Sequence, residues 1–145
     1  MKLADLEISV RRMLVAVDGS DSSSKAVRMA AVMARELSAE LTIVHVIELE
    51  EFPTLMAEAE DGSMEEVGEM ILWDAVSIAK AEKVEAKMKL LRGHPAGQIM
   101  RFSEEYGPQL IVLGSHGRSA TKKLFMGSVS DAISKKARCS VVIVR

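Results

Sequence analysis

The sequence predicts an α/β fold on a parallel sheet, and three observations carry that prediction. Short, mostly apolar runs stand at Met13-Leu-Val-Ala-Val17, Leu41-Thr-Ile-Val-His-Val-Ile47, Leu110-Ile-Val-Leu113 and Ser140-Val-Val-Ile-Val144. Runs of this kind are the mark of strands buried on both faces. Helical patterns separate them at intervals of ~30 residues, as right-handed βαβ crossovers require. Turn-forming residues, Asp18-Gly19-Ser20 and Gly114-Ser115, close two of the runs.

Taken in order, residues 1–11 form a short extension and the folded domain spans 12–145. After the first strand, Ser20 or Ser23 is placed to cap a helix that buries Val27, Ala30, Ala31, Ala34 and Leu37 at spacings of three and four. After the second strand comes an acidic stretch, 48–69, with Glu48, Glu50, Glu51, Glu58, Glu60, Asp61, Glu65, Glu66 and Glu69. It reads as a solvated connection with Pro53 and Gly62 as breakers, in preference to a lid or partner-binding loop. A helix is expected from about Ser63 to Lys80. Val84-Glu-Ala-Lys-Met-Lys-Leu90 alternates apolar with charged residues, which predicts an edge strand with one wet face. Pro95 opens a helix that presents Ile99, Phe102 and Tyr106 to the core and stops at Gly107-Pro108. Val129, Ala132, Ile133 and Ala137 form the buried stripe of the last helix.

Composition bounds the function classes. The chain has 145 residues, 48% hydrophobic and 28% charged, which suits one globular domain. A net charge of −2 leaves no electrostatic footprint for nucleic acid. The basic pairs Lys122-Lys123 and Lys135-Lys136 read as solvated helix surface. The lone cysteine, Cys139, gives no disulfide framework and reads as a small buried hydrophobe. The charged N-terminus is unlike a signal peptide, and no apolar run approaches a membrane span, so a cytoplasmic setting is expected. His45, flanked by core valines, reads as a satisfied interior side chain, and His94 as a turn residue. No metal-ligand spacing joins the three histidines. The methionines read as core filling, and Trp73 as core or subunit interface.

The chemistry concentrates in Gly114-Ser-His-Gly117, then nine residues, then Gly127-Ser128. Gly114 is placed where a side chain would obstruct a ligand, and Gly117 where a positive φ would fold the chain into an anion nest. Ser128-Val-Ser-Asp131 reads as a capping box that opens the last helix. The amides and positive dipole end of that helix suit phosphate, with Ser128, Ser130 and Arg118 as additional donors. Parallel sheets bind ligands outside the carboxyl ends of their strands, where strand order reverses. Asp18 and Gly114 both stand at such ends, and they share one crevice if their strands are neighbours. His116 either contacts the ligand or steadies the loop. No Walker A loop and no dinucleotide fingerprint is present.

The spacing Gly114-x2-Gly117-x9-Gly127-Ser128 resembles the nucleotide motif of the universal stress protein family, ATP-binding class. The resemblance runs through Leu14-Val-Ala-Val-Asp18-Gly-Ser20, Val44-His-Val46, Gly93-His-Pro95, Leu110 to Arg118 and Cys139 to Val144. It implies a Rossmann-like, five-stranded parallel sheet in the order 3-2-1-4-5 with helices on both faces. It also implies ATP or another adenine nucleotide as ligand, with Mg²⁺ through the phosphates. Carried over by position, Ala16, Val17 and Asp18 would meet the adenosine, and Val46 the adenine through its backbone. Gly114, His116, Gly117 and Arg118 would surround ribose and phosphates, with Gly127, Ser128, Val129 and Ser130 holding the phosphates. Gln109 and Ser140 depart from the family's usual aspartate and proline, away from these positions.

The C-terminal strand Val141-Val144 is wholly apolar and an edge in that order, so it is expected to pair with its copy in a twofold homodimer. The resulting expectation is an ATP-binding regulator, which need not be an enzyme and takes no resident metal. Two alternatives remain: a slow ATPase or nucleotidyl-transfer enzyme using the same cradle, or a nucleotide-independent interaction protein docking through 48–69.

Overall fold

The computed structural model describes residues 9–48, 54–116 and 127–145, with 54–62 described by backbone alone. Nine elements alternate: β1 (Arg12–Ala16), α1 (Asp21–Leu37), β2 (Glu40–Glu48), α2 (Thr54–Ala81), β3 (Lys87–Gly93), α3 (Pro95–Tyr106), β4 (Leu110–Gly114), α4 (Ser128–Lys136) and β5 (Ser140–Val144). All strand pairs are parallel, in the order β3-β2-β1-β4-β5. The chain steps outward from β1 through β2 to β3, then returns to the other side of β1 as β4. The reversal of strand order therefore lies between β1 and β4, which are paired from Met13↔Leu110 to Val15↔Val112.

Side-chain alternation along the central strands divides the core in two. Met13, Val15, Ile43 and Val112 face α1 and α2, while Leu14, Val44, Ile111 and Leu113 face α3 and α4. The α1 stripe is nearly all alanine, Ala26, Ala30, Ala31 and Ala34, so the helix lies close to the sheet. Leu37 is exposed instead of buried, because the helix ends on Ser38 in the left-handed conformation and its last turn clears the sheet. α4 is anchored by Ile133, which is fully buried. That burial is worth about 2 kcal/mol and fixes where the helix begins.

Three expectations shift. α2 starts at Thr54, so much of the acidic stretch is helix, and Gly62 lies within it rather than breaking it. Glutamate is a good helix former, and charge alone does not argue for a loop. The edge strand is Lys87–Gly93, three residues beyond the predicted Val84–Leu90. Val84 and Ala86 are partly buried against the core but belong to the irregular stretch between α2 and β3, which satisfies the same alternation. Trp73 is 59% exposed on α2, and Met29, Met70 and Met88 are exposed with it, so these side chains do not fill the core.

The N-terminal end of the sheet is closed by side chains. Gln109 Oε1 accepts the amides of Arg11 and Arg12, each at 2.8 Å, tying β1 to β4. Tyr106 donates its hydroxyl to Glu40 Oε2 at 2.9 Å, and Lys87 pairs with the other carboxylate oxygen. The hydrogen bonds from Lys87 and Tyr106 hold the Glu40 carboxyl below its ordinary value. Burial, with the Glu40 charge beside it, pushes Tyr106 up to about 12.

Candidate functional site

At the opposite end of the sheet, the strand ends β1 and β4 and the helix starts α1 and α4 converge. β1 leaves the ladder at Val17, whose amide still reaches the Val44 carbonyl at 2.8 Å. Asp18 Oδ1 then accepts the Ser20 amide at 3.0 Å, a side-chain turn that Gly19 completes at φ +85°. Ser20, one of the two candidates, is the cap of α1. Its Oγ accepts the Ser23 amide at 3.1 Å, and Ser23 Oγ donates back to the Ser20 carbonyl at 2.9 Å.

Gly114 ends β4 against α1. A Cβ there would lie 2.5 Å from Ser22 Oγ and 2.8 Å from the Ser22 carbonyl carbon. The glycine is therefore required by the approach of α1, a reason independent of any ligand. Ser22 Oγ accepts the His116 amide at 3.3 Å, and Ser20 Oγ donates to the His116 carbonyl at 3.4 Å. The His116 ring is steadied through Nδ1 by Ser115 Oγ at 2.8 Å.

Ser115 joins the remaining pieces. Its amide donates to the Val144 carbonyl at 2.8 Å, binding the loop to β5, and its carbonyl accepts the Gly127 amide at 2.6 Å. That last bond docks the start of α4 on the end of β4. The expected capping box is not formed. Gly127, extended at φ −61° and ψ 154°, occupies the cap position, and Ser128 is already helical. Among the described residues no side chain caps α4. Ser130 turns its hydroxyl inward to the Gly127 carbonyl at 3.0 Å. The first-turn amides of Ser128, Val129 and Ser130 precede the first intrahelical bond, from Asp131 to Gly127. They give the helix start its partial positive charge.

Of the sequence-predicted residues, Ala16, Val17 and Asp18 sit at the end of β1, and Val46 lies near the end of β2, largely buried. Gly114 and His116 follow β4, and Gly127, Ser128, Val129 and Ser130 open α4. Gly117 and Arg118 lie outside the described residues, as does the pair Lys122-Lys123. Ser22 and Ser115, which hold this frame together, escaped the sequence reading. The run Ser20-Asp-Ser-Ser-Ser24 is the one local signal for Ser22, and Ser115 stands inside the glycine motif without a role assigned to it. Among the described residues no three His, Cys, Asp or Glu side chains gather as a metal site, and no helix is long and apolar enough to cross a membrane.

Comparison with known proteins decides the family. The model of the universal stress protein family matches residues 9–145. The chain belongs to the universal stress protein family. Within it, a universal stress protein of Bacillus subtilis, YxiE, is 36% identical over 145 aligned residues, which cover 92% of this chain and 98% of the relative. A universal stress protein solved in complex with cAMP is 25% identical over 95% of this chain and 99% of that one, with a TM-score of 0.76. The universal stress protein from Archaeoglobus fulgidus in complex with dAMP is also 25% identical, over 95% and 100%, with a TM-score of 0.71. In this universal stress protein the sheet has the strand order the resemblance implied, and the Gln109 side-chain oxygen accepts the amides of Arg11 and Arg12 at the start of β1.

Proposed function

We propose that this universal stress protein is an ATP-binding regulator, a homodimer whose nucleotide state alters the surface it offers to partners. The observation that carries the reading is the start of α4, which has glycine at its cap position and no side-chain cap among the described residues, docked through Gly127 and Ser115 at the point where strand order reverses. The solved relatives holding cAMP and dAMP support an adenine nucleotide as its occupant. In this reading Ala16, Val17 and Asp18 form the nucleoside wall, with the Val46 backbone at the adenine. Phosphates meet the amides of Ser128, Val129 and Ser130, the Ser128 hydroxyl, and the loop through His116, Gly117 and Arg118. Gly114 acts indirectly, by admitting α1. Mg²⁺, where it takes part, would be carried by the phosphate oxygens.

The Val141–Val144 edge supports the dimer. β3 presents exposed Lys87, Lys89 and Arg92 along its edge, whereas Val141, Val142 and Ile143 of β5 are only half-buried. Val142→Lys should give monomer or aggregate by light scattering, and an unchanged dimer would count against the edge contact. The 48–69 stretch, largely the first half of α2, is the proposed partner surface, and a cytoplasmic setting goes with the reading. Calorimetry tests the whole proposal: ATP should bind with one site per chain. Protein that carries no adenine nucleotide by mass spectrometry and takes up no ATP would sink it.

A further inference from the structure

His45 is a buried titratable side chain that the proposed site does not use. It lies on β2 facing α2, with only 7% of its surface exposed. Its Nδ1 stands 2.7 Å from the Val17 carbonyl oxygen. A carbonyl only accepts, so Nδ1 carries the proton and donates. The β1–β2 ladder ends at Ala16↔Val44. In a continued parallel ladder the Val17 carbonyl would accept the amide of Val46. The His45 ring stands in for that amide, and the chain turns away into Asp18-Gly19.

α2 fixes the ring from behind. Gly68 packs so closely that a Cβ on it would lie 3.2 Å from His45 Cδ2 and 3.0 Å from Leu90 Cδ1. Three residues on, Ile71 backs the turn itself, with its Cδ1 3.2 Å from where a Cβ on Gly19 would be. The same helix thus supports the nucleoside wall at two points.

We infer that His45 is a positioning residue for the nucleoside half of the site: its Nδ1–H holds the Val17 carbonyl, which sets Asp18 and keeps the Val46 backbone for the base, and α2 sets the ring. The inference rests on the proposed adenine-nucleotide reading. It separates the two halves of the ligand, because His45 bonds the β1 wall and faces α2, on the side of the sheet opposite α4. Losing the bond leaves a buried acceptor unsatisfied, a loss that should fall on the nucleoside alone.

The test measures adenosine and inorganic tripolyphosphate separately by calorimetry on the full chain. In His45→Leu, adenosine affinity should fall about tenfold while tripolyphosphate affinity stays within about twofold. His45→Asn returns an N–H near the Nδ1 position and should restore adenosine to within about threefold of the parent. Equal losses for both ligands, unchanged adenosine binding in His45→Leu, or no rescue by asparagine would overturn the inference. Should His45→Leu fail to fold, Gly68→Ala makes the same test by pressing on the ring. It should weaken adenosine and spare tripolyphosphate, and unchanged adenosine binding would again overturn the inference. If the parent binds neither adenosine nor ATP, the proposed function falls instead. The inference is then judged on the Asp18, Gly19 and Ser20 amide resonances, which should move in His45→Leu and return in His45→Asn; resonances that stay put overturn it.

Discussion

α3 and α4 cover the same face of the sheet and start at the same end of it, yet they begin in opposite ways. At α3, Pro95 removes one orphan donor and His94 Nδ1 accepts the Gly97 amide at 3.4 Å. At α4 the cap residue is Gly127, which has no side chain to offer. α1, which starts beside the end of β4, is capped by Ser20. A helix start left uncapped is less stable than a capped one, and its amides stay available to another acceptor. The contrast shows that α4 gives up stability at the strand-order reversal, where the phosphates are proposed to lie, while α3 is closed off away from it.

The largest effect expected is on the frame both helices depend on. Gly114→Ala drives a Cβ into the Ser22 backbone and should cost about 2–3 kcal/mol in denaturant unfolding, with nucleotide binding lost alongside. Retained stability would mean that α1 and β4 are free to separate, and that the α4 start is not held by a rigid frame. His94→Ala should cost about 1 kcal/mol of stability and leave ATP affinity unchanged, since the α3 cap serves the fold alone. A drop in ATP affinity in that variant would erase the contrast. The smallest effect is expected at the far end of the sheet. Glu40 is held below the ordinary carboxyl value of 4.5, so its contribution is present above that value and is lost as pH falls through the lowered one. Glu40→Gln should flatten the acid limb of a stability-versus-pH curve without touching ATP binding. An acid limb unchanged in slope would show that the Lys87–Glu40–Tyr106 group does not couple to folding.

Much of this was legible because burial on both faces leaves an unmistakable apolar run. β1, β2 and β4 are readable for that reason, β5 by its apolar run although it is only half-buried, and the strand order sets the ends of β1 and β4 side by side. β3 lies three residues beyond its expected place because Val84 and Ala86 pack on the core from the irregular stretch before it, which alternation cannot distinguish from a strand. The capping box failed for a different reason. Ser128-x-x-Asp131 has the right spacing, but a capping side chain must sit on the extended residue, and Gly127 takes that place. Gly114 has a structural cause the sequence does not display, because the atoms it makes room for belong to Ser22, 92 positions earlier in the chain. Contacts between distant segments leave no local pattern, which is why Ser22 and Ser115 were missed. The histidine cap of α3 was half-seen, as a turn, because ring nitrogens are uncommon caps beside Ser, Thr, Asp and Asn.

The most direct test closes the start of α4. Gly127 has extended angles that aspartate adopts without strain, so Gly127→Asp supplies the missing acceptor and a negative charge at the helix start. Stability and ATP affinity, measured on the same preparation by denaturant unfolding and calorimetry, should move in opposite directions. The fold should gain about 0.3 kcal/mol, and ATP should bind at least about tenfold more weakly. A variant that binds ATP as tightly as the parent would show that the α4 amides are not the phosphate cradle, and the account built on them would fail.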